Sequence, residues 1–179
     1  MSMIESLLQE FEQEAQTTRR VLERVPEDRL AWKPHDRSMS LGQLALHVAT
    51  VPGAIAEISR QSPFQLPKFT QPGATSTSEV LTAFDESVGK ARDILCTMDD
   101  AALAKTWRAV DGDREVFALP VGGLLRSIML NHWYHHRGQL SVYLRQVAHW
   151  CRRSTVRAQT RIRSWRGAPS LCRSSVARR

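Results

Sequence analysis

The chain lacks a Cys-x-x-Cys pair and any Cys/His zinc-ribbon spacing among its three cysteines, Cys96, Cys151 and Cys172. Their uneven placement argues against a disulfide framework and makes a reducing cytoplasm the expected compartment. There is no Walker loop, no Gly-x-Gly-x-x-Gly and no Gly-x-Ser-x-Gly elbow. The usual phosphate-cradling, dinucleotide-binding and serine-hydrolase signatures are therefore missing. Ser127 and Cys96 have no base placed beside them by spacing, so nucleophilic catalysis through either lacks support. No apolar run reads as long enough to approach the ~18–20 residues that cross a bilayer. The N-terminal segment is charged and amphipathic, unlike a signal peptide. The expectation is a cytoplasmic protein with no membrane partner.

Acidic residues and lysine are missing from one end. Residues 147–179 carry nine arginines and no Lys, Asp or Glu. The rest of the chain, residues 1–146, holds 16 basic and 18 acidic residues, a net of −2, against +7 for the whole. The basic balance that would ordinarily suggest a nucleic-acid partner thus belongs to the tail alone. That tail has no sustained helical or strand period. The sequence divides into a mildly acidic body, 1–146, and an Arg-rich tail, 147–179, expected to be disordered. No specific nucleic-acid binding is expected.

What the body does contain is helical periodicity. Ile4, Leu7, Leu8, Phe11, Ala15, Thr18, Leu22 and Val25 recur at steps of three and four, predicting a helix over about 2–25. A second helix over about 41–59 starts at a Ser40-x-x-Gln43 capping box, with Leu41, Leu44, Ala45, Val48, Ile55 and Ile58 on its apolar face. Pro52-Gly53 predicts a kink within it. Residues 61–77 hold three prolines and read as a long crossover loop. A third helix, about 78–98, carries Val80, Leu81, Phe84, Val88, Ala91, Leu95 and Met98, with Ser76 and Glu79 as a second capping box. Asp111-Gly112 between two short apolar runs suggests a small hairpin or tight turn. A fourth helix over about 122–146 places Leu124, Leu125, Ile128, Met129, His132, His136, Leu140 and Tyr143 on its inner face. Four amphipathic helices and almost no strand predict an all-α fold, a four-helix bundle.

Histidine carries the functional signal. His132 and His136, four apart on one helix, share a face at roughly 5–6 Å between Cβ atoms. A first-row metal accepts imidazole nitrogens at about 2.0–2.1 Å, so both rings can converge on one ion. His47, on a facing helix, can supply a third nitrogen. Three protein ligands leave a position open for water or substrate. His135 points about 100° away from His136 and reads as supporting or surface. His35 lies in a solvated loop and His149 in the tail. Trp32, Trp107 and Trp133 read as packing residues, and Asp111, Asp113 and Glu115 as a solvated acidic turn. Arg137 and Gln139 flank the ligands; they orient substrate or stabilise a dimer, with structural roles favoured for both.

Two stretches, SMSLGQLALHVA at 38–49 and NHWYHHRGQLSVYLR at 131–145, resemble the DinB family of the DinB/YfiT-like metalloenzyme group. The resemblance extends over residues 1 to about 146. It implies an up-down-down-up four-helix bundle, often a homodimer. It also implies a divalent metal, Zn or Ni, on His47, His132 and His136. The activity it implies is thiol S-transferase or hydrolase chemistry on a small molecule, with a low-molecular-weight thiol as a candidate substrate. The alternative is a non-catalytic metal-binding stress-response module. No carboxylate is clearly placed as a general base.

The resemblance also bears on the tail. Relatives commonly end in Val-Pro-x-x-Tyr-Gly-Pro-Ser-Ala-Asp. Back-translating residues 149–165 with freely chosen synonymous codons, then reading two bases on, gives Leu-Val-Pro-Ser-Val-Tyr-Gly-Pro-Ser-Ala-Asp. A frameshift near residue 147, natural or from sequencing, accounts for an Arg-rich, Lys-free, acid-free end. Independent reads of the locus showing an intact frame would defeat that reading.

Overall fold

The computed structural model describes residues 1–67 and 70–147. The expectations for the tail, including those for His149, Cys151 and Cys172, lie outside the described residues. Val147, which the tail was taken to include, is the last residue of a helix.

Helix α1 spans Met3–Leu22 and opens on a Ser2/Glu5 capping box, in which each side chain bonds the other residue's backbone N–H. Asp100 adds a second, long-range cap, accepting from the N–H groups of Met3 and Ile4 at 3.0 and 2.9 Å. The whole predicted stripe of α1 is buried, through to Val25. Helix α2, Leu41–Ile58, begins at the expected Ser40/Gln43 box and passes through Pro52. Helix α3, Thr77–Cys96, is capped by Ser76. Here Glu79 turns instead to the N–H and hydroxyl of Thr75, both at 2.7 Å. The short α4, Asp100–Ala104, comes next.

Named contacts give the helix directions. Gly53 and Glu57 of α2 meet Ser87 and Lys90 of α3 respectively, so those two helices run parallel. Glu12 pairs with Arg92 and Arg19 with Asp85, so α1 opposes α3. The final helical segment, 121–147, contacts α1 through Arg126–Glu10 and Arg137–Thr18, rising together, and meets α2 at Trp133–Val48 and the residues just before α2 at Tyr143–Met39, in opposition. The order is up, down, down, up.

The fold is not purely all-α. Strands β1 (Phe64–Gln65), β2 (Thr106–Asp111) and β3 (Arg114–Pro120) form a small mixed sheet in that order. β2 and β3 are the antiparallel hairpin anticipated at Asp111-Gly112, with Gly112 at φ +59° in the turn. β1 comes from the crossover loop and pairs parallel to β2, Phe64 against Ala109. Two residues between prolines leave no period to read, which is why the sequence hid it. Trp107 anchors the sheet: it stacks on Phe64 and its indole donates to the Ile58 carbonyl, 2.9 Å away, at the end of α2.

A second correction concerns α2. By length and composition it is apolar enough to cross a membrane, contrary to the expectation that no segment is. Most of its residues are nevertheless buried, packed against α3 and the last helix, which is how a core helix behaves.

The last helical segment departs most from its expected phase. It opens as α5 (Val121–Leu124), widens into a π-helical stretch over Leu125–Asn131, and resumes as α6 (His132–Val147). A π turn takes up an extra residue and so rotates the helix beyond it. Ile128, expected inside, is 38% exposed, while Leu130 and Trp133 are fully buried.

Candidate metal centre

His47 projects from the second turn of α2, and His132 and His136 from successive turns of α6, immediately after the π stretch. All three are half-buried. The structure brings them together: one nitrogen from each ring lies within 4.8 Å of the others. The Nε2 atoms of His47 and His132 are 3.0 Å apart. Two nitrogens each about 2.0–2.1 Å from one ion are themselves roughly 2.9–3.4 Å apart, so this spacing suits shared ligation. Ring centroids separate by 4.5 Å for His47–His136 and 4.3 Å for His132–His136.

The electrostatics also fit a cation. Burial first, then the neighbouring His136 and His132, push the His47 imidazole down to about 4. Burial first, then His136 and His135, lowers His132. Burial lowers His136 as well, against the raising effect of its Gln139 hydrogen bond. The three rings are thus neutral at neutral pH and each keeps a lone pair to give. Among the described residues this metal-capable group is made of imidazoles only, with no carboxylate or thiol. A nitrogen donor set of this kind suits a borderline transition metal, not calcium or magnesium.

Gln139 is closer to the chemistry than its sequence reading allowed. Its Oε1 lies 2.7 Å from His136 Nδ1. With Nδ1–H donating to that oxygen, Nε2 is left as the free nitrogen, the role outer partners play around metal-ligating histidines. The i,i+3 spacing of His136 and Gln139 was the available signal. Arg137 turns away from the three histidines, toward α1 of its own chain. It pairs with Glu14, donates to Thr18 at 3.0 Å and lies over the Tyr134 ring, 5.3 Å from its centroid, all on the α1 side. Tyr134 in turn donates to Glu10 at 2.8 Å. His135 is exposed, its ring 5.0 Å from that of His136 and outside the triplet. His35 is exposed in its loop. Trp107 and Trp133 are buried, and Trp32 packs edge-on against Tyr143.

Comparison with known proteins places the chain. An uncharacterized protein of Bacillus subtilis (strain 168), YjoA, is 24% identical over 152 residues, covering 83% of this chain and 94% of that one. A crystal structure of a DinB-like protein from Bacillus cereus ATCC 10987 superposes with a TM-score of 0.65 at 23% identity, over 80% of this chain and 91% of that one. The crystal structure of the DinB-like YjoA from B. subtilis gives 0.62 at 21% identity, over 81% and 93%. These likenesses show the fold. The family profile described as DinB family matches residues 1–158, most of the sequence, and the chain therefore belongs to the DinB family.

Proposed function

We propose that His47, His132 and His136 hold one divalent ion, zinc or nickel, and that the protein is a metal-dependent enzyme acting on a small molecule. The observation that carries this reading is the convergence of three imidazoles from two helices within 4.8 Å. Such an ion, when bound, acidifies a coordinated thiol or water so that it is nucleophilic at neutral pH. The chain's own part is to keep the three rings neutral by burial, to fix His136 through Gln139 and, among the described residues, to bring no carboxylate or thiol into the metal-capable group. The position that three protein ligands leave open suits thiol S-transfer or hydrolysis, with a low-molecular-weight thiol as co-substrate. A cytoplasmic homodimer is part of the same proposal.

The ligand assignment is tested by metal analysis. His132→Ala and His136→Ala should each drop metal from about one ion per chain to near none; full occupancy in both purified variants would rule the assignment out. A second reading, a non-catalytic metal-binding stress-response module, is favoured by one observation: among the described residues no carboxylate stands in the metal-capable group to act as general base. Turnover of a thiol plus an electrophile, measured with and without chelator, separates the two. Chelator-sensitive turnover supports the enzyme, and none across a panel of thiols supports the module.

A further inference from the structure

Pro52 lies in the interior of α2. It has no N–H, so the carbonyl of Val48, four residues back, has no helical donor. Val48 is fully buried, where an unpaired carbonyl is costly. The donor comes from another helix: the indole Nε1–H of Trp133 reaches the Val48 oxygen at 2.8 Å in a buried bond. Trp133 is itself fully enclosed, stacked on Phe11 at 5.8 Å between ring centroids and tilted against Phe84 at 6.4 Å. The ring has no room to swing, so the direction of its N–H is set by packing.

The two residues joined in this way are chain neighbours of two candidate ligands. Val48 follows His47 and Trp133 follows His132, and the Nε2 atoms of those histidines are 3.0 Å apart. We propose that the carbonyl vacated by Pro52 and the Trp133 indole form a register lock between α2 and α6, one that sets the approach of His47 to His132 and thereby tunes metal affinity. Pro52 and Trp133 are then positioning residues. The lock rests on the proposal that the three histidines bind metal.

The lock differs from plain core packing in what it predicts. Trp133→Phe keeps an aromatic ring but leaves the Val48 carbonyl unpaired. Adding Pro52→Ala supplies an N–H within α2 that pairs the carbonyl again, without restoring the bond between helices. Affinity is read by Co2+ titration, followed in visible absorption, with Zn2+ by competition; stability is read by urea denaturation of the metal-free protein. The lock predicts that Trp133→Phe weakens metal binding about 10–100-fold, the range found for outer-shell partners. It predicts that the double variant recovers urea midpoint but not affinity. Unchanged affinity in Trp133→Phe, or affinity returning in step with stability, overturns the proposal. Should Trp133→Phe fail to fold, Pro52→Ala alone decides. It keeps every core ring, and it should weaken metal binding and speed exchange of the Trp133 indole proton; no change in either overturns the lock. A wild-type protein that binds neither metal removes the metal reading itself, whereas a binding wild type with unaffected variants removes only the lock.

Discussion

Gln139 separates orientation from ligation, because it touches His136 without being a ligand. Gln139→Ala keeps all three imidazoles, yet metal affinity should fall about 10–100-fold in chelator competition; an unchanged constant would sink the orienting role. The same residues set a pH dependence. His47, His132 and His136 all protonate less readily in the folded chain than when free. An unfolded chain therefore binds more protons than the folded one in mild acid, and acid favours unfolding. The stability concerned is complete above the ordinary histidine value of about 6.5. It is lost as pH falls from there toward His47's value of about 4. Urea midpoints of metal-stripped protein should decline across that window, with a shallower slope in His47→Gln. A flat profile would contradict the burial argument. The pairing of His132 with His136 was legible in the sequence because HxxxH on a helix is a geometric statement, and His47 joins them from the facing helix. Gln139 was read as orienting substrate or stabilising a dimer, and Trp133 as packing, because their hydrogen-bond partners depend on which way a rotated helix faces.

That rotation belongs to the elements. The stripes of α1 and α3 could be read almost residue by residue, since an unbroken α-helix repeats every 3.6 residues. Over Leu125–Asn131 the period changes, and an α-helical wheel put Ile128 inside and left Leu130 off the inner face. Composition gives no warning of a π stretch. β1 was illegible for another reason: two residues in a proline-rich loop pair with a strand more than forty positions away. α2 and α3 approach closely where Gly53 donates to Ser87 at 2.8 Å. A Cβ on Gly53 would stand 2.9 Å from the Ser87 Cα, carbonyl oxygen and hydroxyl. Alanine there gains about 1 kcal/mol of helix propensity. The overpacking costs about 1–3 kcal/mol, so Gly53→Ala should be net destabilising in urea denaturation. Equal or greater stability would mean that the two helices separate freely.

For the whole molecule, charge and fold divide differently along the chain. Residues 1–146 carry −2 and contain the histidine triplet, whereas nine arginines lie beyond them. A chain ending at Val147 should keep its metal content and lose retention on an anionic polymer column; retention that survives the truncation would place the basic surface in the body after all. The most apolar helix, α2, depends for cover on segments that come later in the sequence: α3 and α6. At about 5–20 residues per second, the 89 positions between Ile58 and Val147 take roughly 4–18 s to translate. α3, ending at Cys96, can cover one side of α2 well before that, but the side that packs on α6 stays open for the whole interval. Only when the last helix emerges is that side closed, so the buried face of α2 is the last part of the core to leave water.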